Sequence, residues 1–387
     1  MRIFYAVMRS PNLSDLPISD IWHNNLYFPL VEMGHEVVEF HYNMNSLLIH
    51  ADPAELGNNE YVRLHRPDLE SELLRQVSQA HRQKRIDLFF SYFYNSCVTP
   101  ATIHEIRSWG IITANFYCNN VHQFHLVSEI APAYDYCMVP EKVTLHKYLA
   151  VGANPIHIQM AANPSIYKPY SLTHDFNVTF VGAKYANRPQ IIDYLLRKGI
   201  DVRVWGPGWL PFASIGLNFK SEDKKRDSLL YRVQNNGLRL PLKAVKWIYK
   251  RPLERRVRAI AGPPLTDEEL IKLYSRSKIS LGFSVVSSTV SKGEPDSHLR
   301  LRDFEATMSG ALYATGYSEE LEEYFEIDKE IICYRTKEEL AEKIQFYLKH
   351  PVESEKIRLA GHQRALRDHS WVQRFKQFFE VIGLKNK

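Results

Sequence analysis

Apolar positions in the first half of the chain recur as short unbroken runs set between helical patterns. Residues 3–8 form a six-residue apolar run with strand character, ended by Arg9. Ser19 and Asp20 are candidate caps for a helix reaching about Met33, with Gly34 as its stop. Residues 35–40 read as a second strand, and a helical pattern covers 68–84. The run 86–93 is apolar throughout, as in a strand buried on both faces. A helix over 99–108 stops at Gly110, and 111–117, 134–139 and 156–160 read as strands. Strand–helix–strand units repeated in this way predict an α/β chain with a parallel, doubly wound sheet.

The periodicity is lost at Asn163-Pro164-Ser165-Ile166-Tyr167-Lys168-Pro169, where two prolines mark an interdomain hinge over 164–175. It then restarts. Residues 177–181 are a strand ending at Gly182, a helix opens near Pro189 and stops at Gly199, and 202–205 are a strand closed by Gly206-Pro207-Gly208. Thr266 caps a helix to Ser277, 279–283 are a strand, and a helix over 298–309 stops at Gly310. Strands at 312–315 and 331–334 and helices at 337–349, 352–367 and 371–382 complete the pattern. The predicted organisation is an N-terminal Rossmann-like domain over 1–163 and a second such domain over 176–370, facing each other across a cleft. The second carries an insertion at 210–262, and the terminal helix, 371–387, is expected to pack back on the first.

A chain of 387 residues with 45% hydrophobic and 24% charged residues suits two globular domains. The net charge of +5 makes no case for nucleic acid. It is unevenly spread, because 220–258 carry thirteen Lys/Arg against four acids. Trp247 and Tyr249 lie among those cations, which suits an anionic membrane surface or a lipid phosphate; a solvated loop is the alternative. Cys97, Cys118, Cys137 and Cys333 form no C-x-x-C pair and read as reduced core thiols. No run approaches the ~20 apolar residues of a membrane span. The expected location is the cytoplasm, with peripheral contact at the inner face of the membrane as an option.

Chemistry concentrates in the helix predicted at 298–309. His298, Arg302, Glu305 and Ser309 share one stripe, and His298, Arg300 and Arg302 crowd its first turns. Cations at a helix N-terminus are unfavourable unless an anion is bound, and a phosphate there would accept N–H bonds and side-chain bonds together. Glu305 could then accept bonds from ribose hydroxyls; an i, i+3 ion pair with Arg302 on a solvated face is the competing reading. The loop from Gly182 through Lys184 to Arg188 follows a strand and opens a helix, where doubly wound sheets place ligands.

The stretch from 301 to 382 resembles the C-terminal "glycosyl transferases group 1" domain of GT-B enzymes, and most of all their CgeB-like, spore-maturation branch. The resemblance rests on Arg302-Asp303-Phe304-Glu305-Ala306 with Gly310, Glu319-Glu320-Leu321, Ile331-Ile332-Cys333-Tyr334 and His369-Ser370-Trp371. Phe180-Val181-Gly182 with Asn187-Arg188, and Val204-Trp205-Gly206-Pro207-Gly208-Trp209, match it too. It implies a GT-B glycosyltransferase using a nucleotide-diphosphate sugar as co-substrate. Glu305 would hold the ribose, and Gly182, Lys184 and Arg188 the phosphates, with Gly206, His298, Arg300 and Arg302 also on the donor side. Where retaining relatives carry a second Glu, this chain has Ser297, between Asp296 and His298, so stereochemistry is left open.

The first domain is expected to present the acceptor, a glycan, lipid-linked or protein group. Asn24, Tyr94, Asn95, Asn119 and Asn120 follow its strands, and His122 and His23 are the candidate general bases. No paired Asp-x-Asp lies in a strand-end loop, so no metal or other cofactor is expected. The loop Met8-Arg9-Ser10-Pro11-Asn12-Leu13 lacks the G-x-G-x-x-G of a dinucleotide-dependent oxidoreductase. A nucleotide-sugar epimerase of the same fold and a non-catalytic carbohydrate-binding relative are the remaining alternatives.

Overall fold

A computed structural model describes residues 1–7, 19–210, 252–284 and 298–384. Met8 and the loop that follows it, residues 211–251 of the basic insertion, Asp296 and Ser297, and residues 385–387 of the predicted terminal helix lie outside the described residues.

Two six-stranded sheets form the frame, and every ladder in them is parallel. The first contains β1 (Arg2–Ala6), β2 (Glu36–Glu39), β3 (Leu88–Ser91), β4 (Ile112–Phe116), β5 (Tyr136–Val139) and β6 (Pro155–His157). Its order is β2-β1-β3-β4-β5-β6. The second contains β7 (Phe176–Val181), β8 (Val202–Trp205), β9 (Ala261–Gly262), β10 (Ser277–Leu281), β11 (Tyr313–Gly316) and β12 (Ile332–Tyr334). Its order is β12-β11-β10-β7-β8-β9. Continuous apolar runs make this possible: Leu88, Phe89 and Phe90 are wholly buried, as strands covered by helices on both faces require. Each sheet reverses its direction of growth once, between β1 and β3 and between β7 and β10. Those switch points open crevices at the strand C-terminal ends. Register places Leu281 opposite Phe180 and Ala314, so the loops after β7, β10 and β11 start side by side.

The two units are laced together twice. The Ala162 amide donates to the His369 carbonyl at 3.1 Å, and the Trp371 amide donates to the Ala162 carbonyl at 3.3 Å. The helix Trp371–Val381 begins with a capping box between Ser370 and Gln373. It lies on the first sheet: Trp371 meets Phe116 edge-on at 5.7 Å, Phe375 meets Phe90 at 5.7 Å, and Phe378 meets Tyr136 at 6.5 Å. Arg374, also buried, donates from Nε to the Gln159 carbonyl at 3.0 Å and from Nη1 to the Asp368 carbonyl at 3.2 Å, clasping both crossings.

Several elements differ from the pattern reading. The helix expected at 68–84 spans Asn58–Gln83 and contains Pro67. Pro67 cannot donate to the Arg63 carbonyl, and the helix runs through it on a stretch where both residues are exposed to solvent. Ser19 and Asp20 do not cap with their side chains; Ser19 Oγ donates to Asp267 of the second unit at 2.7 Å, and the Asp20 amide does so at 2.8 Å. The following helix carries a π-helical turn at His23–Tyr27, which rotates its side chains out of α register. The helix predicted to start at His298 starts at Leu301, with Arg300 as its cap in extended geometry. His298, Arg302, Glu305 and Ser309 therefore do not form one continuous helical stripe.

Candidate functional site

The loop after β7, the described ends 282–284 and 298–300 of the segment after β10, and the turn after β4 build a cationic cleft. After β7 the chain passes Gly182 and reaches Ala186, which sits left-handed at φ +59°, a strained position for a residue with a Cβ. This bend lets Arg188 fold back. Its guanidinium lies 3.8 Å from the Tyr185 ring centroid, donates to Tyr185 Oη at 2.7 Å and to the Ala183 carbonyl at 2.9 Å. Gly206, at φ +124°, abuts the same loop; a Cβ there would lie 2.6 Å from the Gly182 carbonyl oxygen, so only glycine allows this approach. Trp209 Nε1 donates to that carbonyl at 2.6 Å. Gly182 and Gly206 thus shape the loop through their backbones.

A cavity of about 250 Å³ opens between the units. Asn119, His122 and Gln123 line it from the first unit, and Tyr185, His298 and Arg300 from the second. Four residues expected from sequence, Asn119, His122, His298 and Arg300, are thereby brought together from positions up to 181 apart. A second cavity of about 420 Å³ adjoins the C-terminal ends of β10, β11 and β12, lined by Asn187, Phe283, Ser284, Gly316 and Tyr334 among others. Arg300 donates from Nη2 to the Ser284 carbonyl at 3.5 Å, and Arg188 packs within 5.9 Å of the Phe283 ring. Arg300 thus lines the smaller cavity and reaches the larger through Ser284, while Arg188 packs behind Tyr185 and Phe283, one from each lining.

Their electrostatics are unusual. Among the described residues neither guanidinium has a carboxylate within 4 Å, and the Nε of each is buried without a hydrogen-bond partner. Burial, with the like charge of Arg300 behind it, pulls Arg188 below the usual guanidinium range. His298 is 6% exposed, and burial, then Arg300 and His122, push it down to about 3. It is a neutral imidazole at physiological pH, with Nδ1 unpartnered among the described residues, so it is a hydrogen-bonding group and not the phosphate-binding cation expected from sequence.

Other expected site residues are placed elsewhere. Lys184 is ion-paired with Glu254, which takes up its charge. Glu305 is fully buried: Oε1 accepts from Asn25 Nδ2 at 3.0 Å, and Oε2 lies 3.7 Å from Arg302 Nη1. The pairing with Arg302 exists, but at the junction of the units and not on a solvated face. Arg302 also donates to Tyr274 Oη at 3.4 Å, away from the cationic cleft. Asn24 reaches Asp267 at 3.4 Å, another contact between the units.

His23 is buried, stacked on Tyr27 at 4.2 Å, with Nδ1 3.8 Å from Glu39; it is a core residue. Tyr94 packs edge-on against Tyr117 at 5.3 Å in an aromatic wall. Asn95 braces a loop, donating to the His125 carbonyl at 2.9 Å and accepting from the Glu129 amide at 3.2 Å. Asn120 is fully buried, and its side chain is consumed by Tyr117, Glu141 and Tyr148. These four positions follow strands or the first loop as expected, but packing buries His23 and Asn120, and Tyr94 and Asn95 are engaged by neighbours of their own unit.

Tyr185, Glu141 and Asn25 were not anticipated. Glu141 follows β5 and was open to the same strand-end argument that found His122. Asn25 depends on the π-helical turn, which no apolar pattern announces.

Residues 188–380 match the glycosyl transferase-like family. No curated protein sequence matches the chain significantly. Among solved structures, sucrose-phosphate synthase from Thermosynechococcus elongatus superposes with a TM-score of 0.60 at 12% identity, covering 99% of each chain. Anabaena HepE, solved with UDP and glucose, gives 0.57 at 11% identity, also covering 99% of each. A proposed UDP-N-acetylglucosamine 2-epimerase from Listeria monocytogenes gives 0.52 at 10% identity, covering 100% of this chain and 97% of the other. Residues 188–380 are a glycosyltransferase-like domain, and the whole chain has the GT-B fold.

Proposed function

We propose that the protein transfers a glycosyl group from a nucleoside-diphosphate sugar to a hydroxyl acceptor. One observation carries the reading: among the described residues Arg188 and Arg300 have no carboxylate partner, Arg300 lines a cavity of about 250 Å³ and reaches Ser284 on one of about 420 Å³, and Arg188 packs on Tyr185 and Phe283 from the two linings. Uncompensated buried cations imply a bound anion. A diphosphate between them would leave the nucleoside in the larger cavity and the sugar in the smaller. Arg188 and Arg300 then stabilise the charge that develops on the leaving diphosphate. Neutral His298 is placed to bond a sugar hydroxyl, and His122 faces the same space from the opposite unit, where a base for the acceptor is needed. With charge stabilisation supplied by arginine, the proposed reaction needs no metal, and activity is expected to survive EDTA.

The CgeB-like branch is the subfamily this reading favours, from the motifs around Arg302-Asp303-Phe304-Glu305-Ala306 and Gly206-Pro207-Gly208. The acceptor class proposed is a glycan, lipid-linked or protein hydroxyl. Among the described residues no helix is long and apolar enough to cross a membrane.

Thermal unfolding with UDP, GDP, ADP and CDP tests the donor site, because a ligand that binds only the folded state raises the midpoint. One of the four is expected to raise it, and Arg300→Ala to abolish the rise. No shift with any of them overturns the proposal. Product analysis with donor alone separates transfer from epimerisation: slow hydrolysis supports a transferase, and a released epimer supports the alternative.

A further inference from the structure

The turn that carries His122 is held from beneath by a buried carboxylate that the proposed chemistry does not use. Glu141 follows β5 and is 4% exposed. Its Oε1 accepts from the Asn120 amide at 3.1 Å, and its Oε2 accepts from Asn120 Nδ2 at 2.7 Å. Asn120 has no freedom left: its Nδ2 also donates to the Tyr117 carbonyl at 2.8 Å, and its Oδ1 accepts from Tyr148 Oη at 2.5 Å. Lys147 Nζ closes the turn from the other end, donating to the Asn120 and Val121 carbonyls at 3.2 and 2.8 Å. His122 is the next residue, and it lines the cavity between the units.

We propose that Glu141 is the positioning residue that sets His122 in the cavity, its carboxylate gripping Asn120 from below the turn that carries the imidazole. The proposal rests on the donor reading above for the reaction that it serves. Both atoms facing the carboxylate are N–H donors, so the ionised form satisfies the site and a proton or an amide in its place sets donor against donor.

The groups facing Glu141 are Arg300 from the opposite unit and Tyr117, Cys118 and Tyr148, with Lys147 of the helix Leu145–Ala150 held on the carbonyls of the same turn. Burial holds the tyrosines and the thiol neutral, and pushes Glu141 itself up to about 7 against the pull of the Asn120 bonds and Arg300. The grip therefore forms as pH rises through about 7. Turnover is expected to climb over that limb. Stability has the opposite sign: a carboxyl with a raised folded value favours the folded state when protonated, and that contribution is full below the ordinary value of 4.5 and is lost as pH rises from there through about 7.

The test uses the full chain with UDP-glucose, GDP-mannose and ADP-glucose, each supplied alone, and reads donor hydrolysis against pH. Glu141→Gln is expected to lower turnover on the order of tenfold to a hundredfold above pH 7, the cost of a misplaced catalytic group, and to flatten the alkaline rise. Its nucleoside-diphosphate thermal shift should stay at the wild-type value. The Asn120 amide proton resonance should show an inflection near pH 7 in the wild type and none in the variant. Glu141→Asp, which keeps the charge on a shorter arm, should retain the pH limb at reduced turnover, and it serves as the readout where Gln fails to fold. An unchanged pH profile in both variants, or an Asn120 amide without inflection, overturns the positioning role. Absence of any nucleotide shift in the wild-type protein instead overturns the donor reading.

Discussion

At the scale of single residues, the site is decided by who neutralises whom. Lys184 and Arg188 lie four residues apart in one loop, yet Lys184 is paired with Glu254 while Arg188 has no carboxylate among the described residues. Residue type alone does not distinguish them. Arg188 also depends on its shape: a planar guanidinium is needed to stack on Tyr185 and donate to Ala183 and Tyr185 together. Arg188→Lys keeps the charge and loses that geometry. Titration calorimetry with the nucleoside diphosphate that raises the midpoint is expected to show at least about tenfold weaker binding, or ~1.4 kcal/mol. Unchanged affinity would assign Arg188 to electrostatics only.

At the scale of elements, the crossover at His369 links secondary structure to pH. His369 Nε2 donates to the Tyr324 carbonyl at 2.8 Å, and its Nδ1 accepts from Arg374 at 3.2 Å, so the ring must be neutral. Burial lowers it to about 4. A base with a depressed folded value stabilises the fold above the unfolded value near 6.5, and that contribution is lost as pH falls from there towards 4. The shift corresponds to on the order of 3 kcal/mol at most. Melting curves between pH 7 and 4 should fall over this window, and His369→Gln, which does not titrate, should fall less steeply. Elements were also where the pattern was most legible: the helix Lys337–Lys349 and the strand Val202–Trp205 have the bounds that periodicity predicts. Caps were less so, because Ser19 and Asp20 have the composition of a cap but are recruited by Asp267.

At the scale of the molecule, the junction of the two units is polar and buried. Asn25 holds it by donating to Glu305 at 3.0 Å while its Oδ1 accepts from the Asn163 amide at 3.2 Å. Asn25→Ala leaves Glu305 and the hinge amide short of partners, and should cost about 1–3 kcal/mol in denaturant unfolding. Faster hydrogen exchange at Asn163–Tyr167 is expected with it, because Tyr167 also bonds Asn25, at 3.3 Å. A loss confined to the helix around Asn25, with no change at the hinge, would show that the contact does not couple the units.

The sequence by itself determined the two parallel sheets and the strand ends from which chemistry must come. Period and apolar run length follow from backbone geometry, which acts within a few residues. The motif around Glu305 and Gly310 likewise placed the glycosyltransferase-like domain. Only the tertiary structure decided which of those residues share a cavity and in what charge state. Glu305 could be read as a ribose ligand because its partners, Asn25 and Tyr167, lie 280 and 138 positions away. His298 could be read as a cation because its burial is invisible along the chain. Desolvation and ion pairing are properties of neighbours in space. They left Arg188 and Arg300 without a carboxylate among the described residues, paired Lys184 with Glu254, and set His122 above Glu141.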